Sequence, residues 1–312
     1  MKENSVMNLS LKHDDGRKPV SDLYHSFSAL EGDGWIREEI TISEREFAGG
    51  LLALPILSFR TGRKGRAIWL IAGIHGEEPA GPNAIAEGID YIRELGMDHP
   101  VVLLPLCNPL GYANNWRYLN MPKWTEGKEE HSVGDSEHVL PDLKNPGAPR
   151  RQKALTGESA ALTGHVLRLV KDYPPVMSID LHEDSLLDEG YIYSQGRWGV
   201  KDRIAGKIVD IISSSGVAIN MNGKTRFCEQ IVKGIVTTEG DGSIDDLLSS
   251  RKIILNGKVI EGPGAMTAIV VETPAGAMPL EKRKSAHLAI LKNLKGLLED
   301  SGTTGIEKVM NS

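Results

Sequence analysis

Short apolar runs alternate with longer amphipathic stretches along most of the chain. Several runs are apolar at consecutive positions, as expected for strands that helices cover on both faces. The strand candidates are residues 51–59, 67–72, 101–106, 176–181, 191–193 and 268–271. Apolar residues at helical spacing predict helices at 82–95, 159–171, 200–213 and 280–298. This alternation predicts an α/β sandwich with a mostly parallel or mixed sheet.

Two segments lack a regular pattern. Residues 1–30 are polar, and we expect them to form a loosely ordered lead-in to a single domain over residues 31–312. Residues 116–151 are rich in Gly, Pro, Asn and charge, which predicts an extended loop. Long ordered loops in compact domains are often functional, so this loop is a candidate wall of a binding site.

Composition narrows the class of partner. The 312 residues are 40% hydrophobic and 25% charged, which is typical of a folded protein with a buried core. Lys and Arg number 36 against 42 Asp and Glu, and no basic run indicates a nucleic-acid surface. Cys107 and Cys228 are too few for a disulfide framework, and we expect both to be reduced. A small molecule or a peptide is therefore the expected partner.

The chain shows no export or membrane signal in its pattern. Residues 1–18 carry charges throughout and contain no apolar h-region. No apolar segment approaches the roughly 20 residues needed to span a bilayer. We therefore expect a cytoplasmic protein with no membrane partner, and the sequence does not indicate an oligomeric state.

Candidate metal ligands lie where two apolar strands end. The strand at 67–72 runs into a Gly-bearing turn with His75 and Glu78, and His182 follows the strand at 176–181. The carboxyl ends of strands form the clefts of α/β sheets. A His-x-x-Glu pair alone is common by chance, but the second strand-end His favours a metal site. Catalytic zinc takes three protein ligands and keeps an open position, so we predict one Zn²⁺ on these three residues.

Two carboxylates accompany the predicted ligands. Glu272 ends the apolar strand at 268–271, where it could take a proton from water and pass it to a leaving nitrogen. Asp180 shares a strand face with His182, and it either orients that imidazole or makes an ordinary polar contact. This set predicts a zinc-dependent hydrolase of peptide or amide bonds, with Glu272 as general acid and base.

A turn and a cation follow the strand at 101–106. Asn108 begins an Asn-Pro-x-Gly sequence, which predicts a turn in any case. Asn108 is also a candidate for substrate binding. Arg117 in the following loop either faces solvent or presents its guanidinium to the oxyanion that forms during carbonyl attack.

Taken together, these segments resemble the zinc carboxypeptidase superfamily, including its succinylglutamate desuccinylase and aspartoacylase branch. The order is His-Gly-x-Glu, Asn-Pro-x-Gly with a downstream Arg, a strand-end His and a strand-end Glu, and it spans residues 75–272. The resemblance implies zinc on His75, Glu78 and His182, acid/base catalysis by Glu272 and transition-state stabilisation by Arg117. It also implies one αβα domain around a mixed, mostly eight-stranded sheet.

One element of that family is missing. Its peptidases carry Asp-x-Asn-Arg after the Arg, and the Asn-Arg pair grips the substrate carboxylate, whereas residues 132–139 contain no Asn-Arg. Arg150 and Arg151 either supply the missing fork or form a solvated basic pair.

Two further choices stay open in the sequence. The stretch 135–138, with His131, could contribute to a second metal or to substrate selection, and we favour a polar loop surface. Either Tyr191 or Tyr193, or neither, could assist catalysis.

Three functions remain in competition. The leading one is a metallocarboxypeptidase-like enzyme acting on a small peptide, and the alternative is an N-acyl-amino-acid deacylase that uses the same zinc and Glu. A metal-free binding protein on the same fold is the third, although four retained site residues argue against it. A Ser or Cys hydrolase is disfavoured because the chain has no Gly-x-Ser-x-Gly elbow.

Overall fold

Twelve strands and nine helices run through the residues that the computed structural model describes, which are 13–32, 34–47, 50–119, 132–237, 240–276 and 278–299. The strands are β1 (Trp35–Phe47), β2 (Gly50–Thr61), β3 (Ala67–Ala72), β4 (Val101–Leu104), β5 (Pro175–Asp184), β6 (Tyr191–Ser194), β7 (Asn222–Lys224), β8 (Gln230–Val232), β9 (Ile235–Val236), β10 (Lys252–Leu255), β11 (Lys258–Glu261) and β12 (Thr267–Pro274). The helices are α1 (Val20–Ser28), α2 (Ala80–Glu87), α3 (Ile89–Asp98), α4 (Pro109–Asn114), α5 (Gly157–Leu169), α6 (Arg203–Ser214), α7 (Ile244–Ser249), α8 (Leu280–Lys292) and α9 (Leu294–Glu299).

Ten strands form one mixed sheet in the order β1-β2-β4-β3-β5-β12-β6-β9-β8-β7, and β10 and β11 form a separate hairpin. The central neighbours β4, β3, β5 and β12 are parallel, so their carboxyl ends meet at one edge. The expected count of eight strands is corrected to ten. The short strands β7, β8 and β9 extend the sheet beyond β6, and strands of two or three residues leave no periodic signal.

The central strands are covered on both faces. Every residue of β3, β4 and β5 is buried, which explains why β3 and β4 are apolar at consecutive positions, while β5 also buries the polar Ser178 and Asp180. Helices α2, α6 and α8 pack on one another, α2 contacts β5, and α7 contacts β5 and β12. The αβα architecture predicted from the alternation is confirmed.

Two elements have patterns that the apolar runs did not reveal. Among the described strands β1 pairs with β2 alone, and most of its residues are exposed or half-buried, so charged residues in runs at 37–39 and 44–46 interrupt any apolar pattern. Helix α1 lies within the segment expected to be a loose lead-in, and it buries Val20, Leu23 and Phe27 at helical spacing.

The long loop predicted at 116–151 is described only at its two ends, because residues 120–131 lie outside the described residues. Among the described helices, none combines the length and apolarity needed to cross a membrane.

Candidate metal centre and cleft

Two positions in the turn after β3, Gly73 and Gly76, require glycine. Gly73 has φ of 68°, in the left-handed region. A Cβ at Gly76 would lie 2.0 Å from the carbonyl carbon of Gly111, so the turn packs directly on the backbone of α4. This path sends His75 and Glu78 into the cleft at the carboxyl edge of the sheet, and His182 near the end of β5 faces them.

Three ligand atoms converge at this edge. The Nδ1 atom of His75 lies 2.8 Å from Glu78 Oε1, and the Nδ1 atom of His182 lies 2.9 Å from Glu78 Oε2. Among the described residues, His75, Glu78 and His182 are the one group whose potential ligand atoms all lie within 4.8 Å of one another. The two Nδ1 atoms face each other at 3.2 Å, where a cation could accept both lone pairs. The donor set therefore fits a metal ion with two imidazoles and one carboxylate.

The protonation states of His75 and Glu78 favour cation binding. Burial and the nearby Arg117 lower the pKa of His75 to about 4, so its imidazole is neutral at pH 7. Burial acts to raise the pKa of Glu78, but His75, His182 and Arg117 outweigh it and hold that pKa well below the usual range. A neutral imidazole and an ionised carboxylate are the forms that ligate metals.

Asp180 orients His182. Its Oδ1 lies 3.2 Å from His182 Nε2, which leaves His182 Nδ1 directed toward Glu78. Burial would lower the pKa of His182, but the Asp180 and Glu78 carboxylates outweigh burial and raise it well above its usual value. The contact is the carboxylate–imidazole arrangement that fixes metal-binding histidines.

Glu272 lies beside the candidate ligands. In the sheet register it is opposite His182 of β5 on one side and Tyr191 of β6 on the other, and it lines the same cleft. Burial raises the pKa of Glu272 to about 8, although His182 acts in the opposite direction. A carboxyl group with a pKa near neutrality is suited to accept a proton and return it.

Arg117 also lines the cleft. Its Nη1 donates to Glu78 Oε1 at 2.7 Å and to Glu77 Oε1 at 3.0 Å. Asn108 is not among the described residues that line the cleft, and its role in substrate binding stays a prediction. It is fully buried, where its Oδ1 accepts from Gly111 N at 2.8 Å and its Nδ2 donates to Arg117 O at 3.4 Å. Asn108 therefore caps α4 and supports the backbone of Arg117.

Arg150 and Arg151 are not among the described residues that line the cleft, and a carboxylate fork formed by them stays a prediction. Arg150 Nη1 donates to Asp246 Oδ2 at 2.8 Å and to Gly240 O at 3.0 Å, and Arg151 forms an ion pair with Glu137. Arg150 thus joins its segment to the residues around the start of α7, whereas Arg151 pairs within its own segment.

The stretch 135–138 contributes to the cleft more than a polar loop surface would. Asp135 lines the cleft, and Ser136 is fully buried against Thr163. His131 lies outside the described residues.

The cleft has a volume of about 370 Å³, and sequence reasoning missed several of its charged residues. Arg226, between β7 and β8, lines it with a buried Nε that has no hydrogen-bond partner within the described part of the chain. Its Nη1 lies 3.8 Å from Asp184 Oδ1. Asp241 and Asp245 form part of the opposite loop wall. The acid-rich segment 241–246 could have drawn attention to that loop, whereas Arg226 has no periodic or motif signal around it.

Both candidate tyrosines lie on the cleft wall. Tyr191 donates to Asp184 Oδ2 at 2.9 Å, and Tyr193 donates to Glu229 Oε2 at 2.8 Å. The two rings pack edge to face, so each hydroxyl has a fixed partner.

The buried Arg17, in the N-terminal region, forms hydrogen bonds to the turn that carries His75 and Glu78. Arg17 donates to Gly76 O and Tyr112 O, each at 3.0 Å, and to Asn115 Oδ1 at 2.6 Å. Glu183 supports the same turn, since its Oε2 accepts from Ala80 N at 2.7 Å. Ligand position therefore depends on contacts that are distant in sequence.

No protein-family model and no curated protein sequence matches the chain. Solved structures do match. A Shewanella baltica OS155 protein described as a candidate metallopeptidase aligns over 89% of this chain and 90% of its own, with a TM-score of 0.66 and 20% identity. Bovine thrombin-activatable fibrinolysis inhibitor, in complex with tick carboxypeptidase inhibitor, aligns over 92% of this chain and 99% of its own, with a TM-score of 0.57 and 12% identity.

A metallo-carboxypeptidase from Burkholderia cenocepacia aligns over 90% of this chain and 68% of its own, with a TM-score of 0.54 and 11% identity. At these identities the likeness concerns the fold. The chain therefore has the fold of these metallopeptidases and metallo-carboxypeptidases, which is the fold expected from the sequence resemblance.

Proposed function

We propose that this protein is a zinc-dependent hydrolase of a peptide or amide bond, of the metallocarboxypeptidase type. The observation that carries the proposal is the convergence of His75, Glu78 and His182 with Glu272 beside them in the strand register. The fold, which metallopeptidases and carboxypeptidases share, supports hydrolysis as the reaction class.

The chain's own groups divide the work of hydrolysis. A zinc ion held by His75, Glu78 and His182 would supply Lewis acidity, which acidifies water and polarises a carbonyl. Glu272 takes a proton from the attacking water and gives it to the leaving nitrogen, because its pKa of about 8 allows both steps near neutral pH. Arg117 lines the same cleft, so its guanidinium stabilises the charge that develops on the carbonyl oxygen.

Arg226 is our candidate for binding the substrate carboxylate. It lines the cleft and has a buried N–H without a partner, whereas Arg150 and Arg151 are engaged elsewhere. A single Arg in place of an Asn-Arg pair leaves an N-acyl-amino-acid deacylase as the second candidate, since such a substrate also carries one carboxylate.

Metal content tests the first half of the proposal. Elemental analysis should find near-stoichiometric zinc in the wild type and a loss of it in His75→Ala and His182→Ala. The exposed His25→Ala is the control, and it should keep the metal. A wild type that holds no metal after incubation with zinc would overturn the proposal.

Turnover by Glu272→Gln tests the second half. This variant should keep zinc and lose roughly 100-fold to 10,000-fold in kcat. Glu94→Gln, the same change on the exposed face of α3, should keep both. Turnover measured on peptides with a free C-terminus and on N-acyl amino acids distinguishes the two candidate activities. Near-normal turnover by Glu272→Gln would show that another group acts as the base.

A further inference from the structure

A second cavity lies at the other end of β6 and β12 from the candidate metal ligands. It has a volume of about 390 Å³. Its lining includes Gln195 and Arg197, which follow β6, Arg251, which lies between α7 and β10, and Met266, which precedes β12. Gln195 also lines the cleft, so its side chain borders both cavities.

The sheet register sets the distance between this second cavity and the catalytic groups. Tyr191 is opposite Glu272, and Gln195 lies farther along the same chain direction, where its N donates to Ala268 O at 2.9 Å. At about 3.3 Å per residue, Gln195 is roughly 13 Å from Glu272 along the strands. A small ligand in the second cavity would therefore not contact the metal centre.

Two arginines supply the charge of the second cavity. Within the described ranges, Arg197 and Arg251 are the charged residues that line it, and neither guanidinium has a carboxylate within 4.0 Å there. The Cζ atom of Arg197 lies 5.7 Å from the centre of the Trp198 ring, which carries no charge. Arg117 and Arg150, by contrast, both pair with carboxylates. In a protein with a formal charge of -6, this concave surface attracts anions.

The backbone at both arginines is held by hydrogen bonds. Arg197 N donates to Met266 O at 2.8 Å, which continues the pairing of β6 with β12. Arg251 O accepts from Gly262 N at 2.9 Å. Because the stems of the two side chains start from fixed positions, a ligand that binds between them loses less free energy to ordering the site.

Gln195 is a separate sign that a ligand belongs here. Its Oε1 is buried and has no hydrogen-bond partner in the part of the chain that the structure describes. Buried polar atoms without partners are unfavourable in proteins. The amide also carries two N–H donors, so a half-turn of the group lets it donate to a ligand oxygen instead.

We propose that the second cavity binds an oxyanion, a phosphate or a carboxylate group, between Arg197 and Arg251, with Gln195 as a further donor. The planar guanidinium fork gives two parallel N–H···O bonds to either group. The volume of about 390 Å³ is typical of small-molecule sites, so the oxyanion can be part of a larger molecule. The site does not depend on the proposed hydrolase activity.

Calorimetric titration of the purified protein with inorganic phosphate and, separately, with citrate tests the site at constant ionic strength. At least one of these anions should bind the wild type. Arg197→Gln and Arg251→Gln should each weaken that binding roughly tenfold or more, because each removes charge-assisted hydrogen bonds. Both side chains are exposed, so both variants should fold. The anion with the lower Kd shows whether the site prefers phosphate or carboxylate.

Two control variants locate the bound anion. Arg66→Gln removes an exposed guanidinium just before β3 and should bind as the wild type does. Arg226→Gln removes an arginine that lines the cleft, and it should also keep the binding. A loss in Arg226→Gln, with binding retained in Arg197→Gln and Arg251→Gln, would place the anion in the cleft and overturn the proposal. A wild type that binds neither anion would overturn it as well.

Binding and turnover fail separately. If phosphate or citrate binds with the expected dependence on Arg197 and Arg251 but no substrate is hydrolysed, the oxyanion site stands and the hydrolase proposal fails. If a substrate is hydrolysed and neither anion binds, the oxyanion site is wrong and the hydrolase proposal stands.

Discussion

At the residue scale, Arg117 contacts the candidate metal ligand Glu78 and also lines the cleft. Its guanidinium pairs with Glu78, a candidate metal ligand, and with Glu77 in the same turn. Replacing Arg117 with Ala should lower kcat roughly 100-fold with a smaller change in KM, because the charge acts most strongly on the transition state. Steady-state kinetics with zinc analysis of the same sample measures this.

Arg168→Ala is the matched control for that variant. Arg168 is half-exposed and pairs with Glu38 on the far edge of the sheet, so its removal should leave kcat and KM unchanged. Equal losses in both variants would show that the loss at Arg117 comes from folding rather than from catalysis.

Asp245 makes the stability of the protein depend on pH. Burial raises its pKa in the folded state to about 8, above the value of about 4 in an unfolded chain, so folding favours the protonated form. The stability linked to this group is fully present below about pH 4 and is lost as the pH rises through about 8.

We therefore expect Asp245→Asn to raise Tm at pH 8.5 and to change it little at pH 4. Each kcal/mol gained should appear as roughly 2 °C or more in a scanning calorimeter. Asp210→Asn should show no such dependence on pH. A gain at pH 4 as large as that at pH 8.5 would mean that the carboxylate charge is not the cause.

At the element scale, the position of the candidate metal ligands depends on how the turn after β3 packs against α4. A methyl group at Gly76 would overlap the backbone of Gly111 and Tyr112, and these are not side-chain atoms that can rotate away. Gly76→Ala should therefore destabilise the protein by about 3 kcal/mol or more and weaken zinc binding.

Gly206→Ala in α6 provides the comparison. A Cβ there meets no atom within 4 Å, so Ala should stabilise the helix by about 0.5–1 kcal/mol. Urea unfolding of both variants, with zinc content measured alongside, tests the contrast. If Gly76→Ala unfolds at the wild-type urea concentration, the turn can shift and does not fix the ligands.

The same scale shows what the sequence could predict. Strands β3 and β12 are apolar over several consecutive positions and β5 is mostly apolar up to Leu181, so the polar residues at or after their carboxyl ends stood out. The residues that line the walls of the cleft had no comparable signal in the sequence. Arg226 lies in the short segment between β7 and β8 and Asp245 in the six-residue helix α7, elements too short to give a periodic signal.

Arg150 shows the limit most clearly. Because it stands beside Arg151 in a loop, the sequence allowed it to bind a substrate carboxylate. In the structure its guanidinium instead pairs with Asp246, 96 residues away in the chain. Only the packing of the two loops decides whether such a guanidinium meets substrate or another side chain.

At the scale of the whole molecule, metal binding should be visible as stability. Zinc that binds the folded chain and not the unfolded one adds about 2.7 kcal/mol when its free concentration is 100 times Kd. We expect a rise in Tm of roughly 5 °C with zinc and a fall after treatment with a chelator. His182→Ala should not respond to zinc, and differential scanning fluorimetry of both proteins measures the difference. Equal rises in the two proteins would place the zinc effect at another site.

The contacts of Arg17 have a consequence for shortened forms of the protein. Its guanidinium satisfies two backbone carbonyls, one of which belongs to the turn that carries His75 and Glu78. Cleavage by a protease just before α1 would remove this guanidinium and leave those acceptors unpaired, at about 1–3 kcal/mol each. Removal of this short N-terminal segment by a protease would then inactivate the protein. The cleft residues would all remain, but the turn that carries His75 and Glu78 would be less firmly held.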